Sequence, residues 1–147
     1  VGDVFSVRIA GNVTSNKVLG SIEFGCTVAR AKLVVVMGHT RCGAVTAAVN
    51  FAKAQESAAA KTGCEHLDFI VNDIQRSLQT DDATSGVDRS VEEQIQFVDE
   101  VAARNARLVV QDILDQSATL RQLSESGQIR IVGCLYDVTS AQMTWYE

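Results

Sequence analysis

At 147 residues the chain has the size of one domain with a core of its own, and 46% hydrophobic with 5% aromatic content is ordinary for a soluble α/β protein. A formal net charge of −5 leaves no basic footprint for nucleic acid, and no apolar run reaches membrane-spanning length. No signal peptide is visible. The four cysteines, Cys26, Cys42, Cys64 and Cys134, are too sparse for a disulfide scaffold, so reduced thiols in a cytoplasmic setting are expected.

In chain order, Val4 to Ile9 alternates loosely and predicts a strand ended by a turn at Gly11-Asn12. Ser15 is the expected N-cap of a helix running to about Arg30, with Val18, Leu19, Ile22 and Val28 on one face. The continuous apolar run Leu33 to Met37 predicts a strand buried on both faces, which usually means a parallel sheet. Gly38, lacking a Cβ, is expected to turn the backbone sharply, and Ala44 to Ala54 predicts the next helix. Thr62-Gly63 interrupts it before a helix over Leu67 to Leu78, where Leu67, Ile70, Val71, Ile74 and Leu78 recur at helical spacing. Thr80 to Asp88 is polar and predicts an exposed loop.

Ser90 and Glu93 form a capping-box pattern that opens a long helix, with Ile95, Val98, Val101, Ala102, Val109, Ile113 and Leu114 on its apolar face. Asn105 interrupts that face and predicts a kink or a break. Ser117 to Ser124 predicts a short helix with Gly127 as its C-cap, and Ile129 to Leu135 a second buried strand. A turn at Asp137 to Ser140 returns Gln142 to Tyr146 as a short edge strand. The expected class is α/β, a mainly parallel sheet flanked by helices with a C-terminal edge hairpin. No internal repeat or low-complexity tract is present.

His39 and Cys42 fall in the loop between a strand's carboxyl end and a helix's amino end, the edge where open α/β sheets place ligands. Imidazole and thiolate are the usual Zn²⁺ ligands, and a three-residue offset in a tight turn can bring both to one ion. The helix amino end adds a partial positive charge that suits the thiolate a metal needs. The same spacing also fits a buried free cysteine beside a hydrogen-bonded loop histidine, with no metal. Cys26 and Cys64 fall in helical stretches and His66 reads as a solvated helix-start residue, so none of the three is a candidate ligand. No Gly-x-Gly-x-x-Gly or phosphate loop follows a strand, which argues against a nucleotide-binding domain.

Gly38-His39-Thr40-Arg41-Cys42-Gly43-Ala44 resembles the zinc-loop motif of the β-class carbonic anhydrases, Gly-His-Ser/Thr-x-Cys-Gly-Ala. Asp3 to Asn12 resembles that family's Asp-x-Phe-x-x-Arg-Asn-Ala-Gly-Asn strand and turn, with Ile9 where the family usually has Asn. Ser21-Ile22-Glu23-Phe24 is similar to its Ser-x-Glu-Tyr helix, with Phe24 lacking the commoner tyrosine hydroxyl. Gly127 to Asp137 resembles its last-strand pattern, Gly-x-x-x-x-Gly-x-x-Tyr-Asp. The matches keep the family's order and span nearly the whole chain.

The resemblance implies a β-carbonic anhydrase-like fold and zinc-dependent hydration of CO₂ to bicarbonate by zinc-bound hydroxide, with His39 and Cys42 as metal ligands. It implies a Gly43 backbone N–H that contacts substrate or product, although a glycine kept for tight loop packing fits equally. Arg8 and Tyr136 match an arginine–tyrosine pocket for non-catalytic bicarbonate in some members; a structural ion pair and a buried phenol fit them too. The family's third ligand and Asp–Arg dyad come from an upstream Cys-x-Asp-x-Arg segment, and no such motif occurs here, so no catalytic residue is identified. The expectation is therefore one domain over residues 1–147 preceded by a further amino-terminal portion, whose strand would lie between Val4–Ile9 and Leu33–Met37. The resemblance also implies homodimers or larger assemblies. The wording of Val4 to Ala48 resembles the carbonic-anhydrase-like domains fused to bacterial sulfate-family transporters. That likeness keeps open a tethered transporter domain and a non-catalytic, bicarbonate-sensing or regulatory module.

Overall fold

The computed structural model describes residues 2–80, 82 and 89–146. A three-stranded mixed sheet in the order β1 (Leu33–His39), β2 (Arg130–Tyr136), β3 (Met143–Tyr146) carries the fold. β1 and β2 run parallel, with Val36 opposite Gly133 and His39 opposite Tyr136. β2 and β3 run antiparallel and form the C-terminal hairpin. The helices whose bounds lie within the described residues are α1 (Asn16–Thr27), α2 (Gly43–Ala54), α3 (Ala58–Thr62), α4 (Leu67–Gln75), α5 (Val91–Gln116) and α6 (Ala118–Glu125), with a 3₁₀ turn at Ala10–Asn12 before α1.

Helix starts follow local chemistry. The Ser15 and Ser117 hydroxyls accept from the Val18 and Leu120 amides, 3.3 and 3.1 Å away, each satisfying a first-turn donor that the helix itself leaves unpaired. At Ser90 the capping box is complete, with Glu93 N–H donating to Ser90 Oγ and Ser90 N–H donating to Glu93 Oε2 at 2.7 Å. The Ser90 backbone and hydroxyl together hold the Glu93 carboxyl below its ordinary pKa. A depressed folded-state pKa contributes stability that is complete above the unfolded carboxylate's value and is lost as pH falls through the folded one. The Ser90 amide resonance, followed by NMR, is therefore expected to titrate with a midpoint below the free-glutamate value of about 4.3. Glu93→Gln is expected to remove that titration.

The core divides into two clusters that α5 joins. One gathers Val45, Ala48 and Val49 of α2, Val71 and Ile74 of α4, and Phe97, Val98 and Val101 of α5. The other gathers Leu19 and Cys26 of α1, Val36 of β1, Ala106, Val109 and Ile113 of α5, and Leu120 of α6. Two glycines let α5 approach the sheet: a Cβ on Gly38 would lie 3.2 Å from the Ala102 carbonyl, and one on Gly133 3.5 Å from that of Ala106. Arg76 of α4 grips the buried Asp112 carboxylate of α5 in a two-pronged ion pair of 2.8 and 2.7 Å.

Several expectations are corrected. Residues 4–9 form no strand; they run along the surface without ladder partners, and Val4, Phe5, Val7 and Ile9 are exposed. The Leu33–Met37 run pairs in parallel as expected, yet only one of its faces is covered. Val36 and Gly38 face α5, whereas Leu33, Val35 and Met37 are 53%, 36% and 48% exposed. β1 has β2 on one edge and no strand on the other among the described residues. Gly38 does not end β1: the strand continues to His39, and the missing Cβ serves helix contact instead. α1 ends at Thr27, short of Arg30.

Asn105 neither kinks nor breaks α5. It is buried, donating from Nδ2 to the Gly11 carbonyl at 2.8 Å and accepting from the Ser77 hydroxyl at 3.0 Å, so three segments meet at one amide. The predicted loop Thr80 to Asp88 lies largely outside the described residues.

Candidate metal centre

His39 is the last residue of β1 and Cys42 is the N-cap of α2, so strand end and helix start hold the two candidate ligands three residues apart. Side chains alternate along a strand, which puts His39 on the open face with Leu33, Val35 and Met37, opposite Gly38 and α5. Its Nδ1 lies 3.0 Å from the Thr40 carbonyl oxygen. A carbonyl only accepts, so Nδ1 carries the proton and Nε2 of the neutral ring keeps its lone pair. This is the arrangement that orients metal-ligating histidines.

Cys42 is 7% exposed, and its thiol makes no capping bond to α2. The first turn is instead tied through the Cys42 carbonyl, which accepts from both the amide and the hydroxyl of Thr46 at 2.9 Å. A Cβ on Gly43 would meet nothing within 4 Å, so tight packing is not what this glycine serves.

The intervening residues fix the loop. Thr40 N–H donates to the Tyr136 carbonyl at 2.9 Å, and Thr40 Oγ1 accepts from Val138 N–H at 3.0 Å. The Tyr-Asp end of the last-strand pattern thus holds the candidate loop through its backbone. The Asp137 carboxylate caps its own turn, and the Thr139 and Ser140 amides hold its pKa below the ordinary range. Arg41 takes a left-handed φ of 55°, and its N–H donates to Asp99 Oδ1 of α5 at 2.6 Å. Sequence reasoning missed Asp99 and Thr46. A hydroxyl four residues after Cys42 was a usable signal for Thr46; Asp99, 58 residues from its partner, offered none.

Other candidates fall away from the loop. All four cysteines are free; burial pushes the Cys26 and Cys134 thiols up, and Cys64 is exposed at the start of a turn. His66 is the exposed N-cap residue of α4, with its ring beside Phe69. Arg8 is exposed, and among the described residues no ion pair includes it. Glu23, from the Ser-x-Glu motif, accepts from the Ser117 hydroxyl at 2.5 Å and ties α1 to the start of α6. Among the described residues no three His, Cys, Asp or Glu side chains gather as a metal cluster. An imidazole and a thiol are donors of the kind zinc takes, so the chemistry of His39 and Cys42 fits that metal.

The fold is that of an α/β domain with an imidazole and a thiol at the carboxyl end of β1. A family model for carbonic anhydrase matches residues 1–143. The chain is 31% identical over 143 residues to a carbonic anhydrase of Mycolicibacterium smegmatis, an alignment covering 97% of this chain and 63% of that protein. Its fold is similar to the β-carbonic anhydrase CafA of Aspergillus fumigatus, with a TM-score of 0.75 and 25% identity over 99% of this chain and 64% of the other. It is also similar to tetrameric β-carbonic anhydrases from Sordaria macrospora, with a TM-score of 0.74 and 18% identity over 97% and 68%. The chain belongs to the β-class carbonic anhydrase family. It spans less than two thirds of the length of the mycobacterial relative it matches.

Proposed function

We propose that this chain is the zinc-loop portion of a carbonic anhydrase that interconverts CO₂ and bicarbonate, with His39 and Cys42 as two of the metal's ligands. The observation that carries the reading is the His39 ring, whose Nδ1 is committed to the Thr40 carbonyl and leaves Nε2 as the donor atom, three residues before a Cys42 thiol that makes no capping bond. Zinc bound there would supply a Lewis acid able to make a nucleophile of water near neutral pH. The chain's own part is to hold the two donors at a three-residue offset and, with open space where a Gly43 side chain would lie, to leave that backbone N–H approachable by a bicarbonate oxygen. The reading requires a third protein ligand from outside this pair.

Self-association belongs to the same proposal. Phe5 and Phe24, with ring centroids 6.1 Å apart, and Val28, Leu33 and Met37 are apolar and exposed on the single chain. The absence of a third ligand among the described residues favours a second reading, a non-catalytic bicarbonate-binding module. Zinc per subunit, measured by elemental analysis together with a CO₂ hydration assay, separates the two. Near-stoichiometric zinc with hydration activity supports the enzyme, whereas a metal-free, inactive chain rejects it and leaves the binding module.

A further inference from the structure

Between the two candidate ligands the chain does something an L-residue resists: Arg41 adopts the left-handed region, φ 55°, without being glycine. Such a conformation persists only where surrounding contacts enforce it. The Thr40 N–H and hydroxyl bonds to Tyr136 and Val138 fix the loop on the β2 side but do not engage the Thr40–Arg41 peptide that follows. The Thr40–Arg41 peptide is held at both ends: its carbonyl faces His39 Nδ1 at 3.0 Å, and its N–H, from Arg41, donates to Asp99 Oδ1, 2.6 Å away on α5. A carboxylate accepting at that distance makes a short, charge-assisted bond, stronger than one to a neutral acceptor.

We infer that Asp99 is a positioning residue for the metal loop: its carboxylate pins the Thr40–Arg41 peptide from which the left-handed Arg41 turns toward Cys42, and so sets the spacing between His39 and Cys42. The inference rests on the metal reading of that pair. Relaxing Arg41 to a right-handed or extended φ swings the following peptide and carries Cys42 away from His39. The helix supplying Asp99 is itself anchored against the sheet at Gly38, one residue before His39, so loop and clamp share one rigid reference. Asp99 touches neither candidate ligand and acts only through the backbone between them.

The test titrates the metal-free chain with Co²⁺ and reads the thiolate-to-cobalt absorption band in wild type, Asp99→Ala and Asp99→Asn. Asp99→Ala is expected to bind cobalt about tenfold more weakly, the low end of what partners bonded directly to a ligand are worth. Its metal-free melting temperature is expected to stay near wild type, because the bond is at the surface. Asp99→Asn keeps an oxygen acceptor for the Arg41 amide and is expected to recover most of the affinity, which a merely structural role would not predict. Equal affinity in wild type and Asp99→Ala, or an Asn variant as weak as the Ala variant, overturns the role of Asp99 while leaving the metal reading intact. A wild-type chain with no cobalt band overturns the metal reading, and the inference with it.

Discussion

Cys42→Ser is expected to lose zinc affinity by more than about a hundredfold and to bring CO₂ hydration down to the uncatalysed background. The scale follows from outer-shell partners alone being worth about 10- to 100-fold, so a direct ligand costs more. Serine is close in size to cysteine at this 7% exposed position, so the fold survives while the soft donor is replaced by a hydroxyl that does not ionise near neutral pH. His39→Ala is expected to match it, since either loss leaves a single donor on the loop. Combining the two changes is expected to add little, as groups acting as one unit are not additive. Elemental analysis, stopped-flow CO₂ hydration and a denaturation curve on the same preparations check the expectation. Retained zinc in Cys42→Ser would remove this cysteine from the site.

The largest stability effect short of stripping the core is expected at Asn105→Leu. The leucine fits the volume but leaves the Gly11 carbonyl and the buried Ser77 hydroxyl without the amide that serves both. Each buried polar group so abandoned costs about 1–3 kcal/mol, giving a total of about 3 kcal/mol after the apolar gain of the leucine. For a chain of this size that corresponds to a fall of about 10 °C in melting temperature. The denaturant midpoint should drop with an unchanged slope, the mark of lost stability rather than altered compactness. Asn105→Asp is expected to be as damaging, because a carboxylate cannot donate to the Gly11 carbonyl.

The helices, and the strand-to-helix loop that carries His39 and Cys42, are legible in the sequence because their signals are local. Ser15, Ser90 and Ser117 announce their helices through bonds made within three residues, and the apolar spacing of Val98, Val101, Val109 and Ile113 repeats with the helical turn. Strand predictions fared worse because pairing depends on what lies alongside. Val4 to Ile9 has the composition of a strand but no neighbouring strand to bond with among the described residues, and Leu33 to Met37 is apolar on a face that nothing here covers. Asn105 looks like a defect in an apolar stripe because its partner, Gly11, lies 94 residues away. Asp99 escapes for the same reason: one carboxylate among many on a polar helix face carries no mark of the amide it will meet. What the sequence hides is long-range polar bonding.

Thr40 receives the Val138 amide across a separation of 98 residues, and the β1–β2 ladder closes immediately beneath that bond. A ribosome must therefore deliver the chain through Val138 before the loop between His39 and Cys42 acquires its shape. Closing so large a loop is entropically costly and slow compared with helix formation, so α2 and α4 can consolidate while the two donors still move independently. Closure of the His39–Cys42 loop is thus gated by arrival of the β2–β3 hairpin. A chain cut short before Tyr136 would carry both donors and be unable to set them.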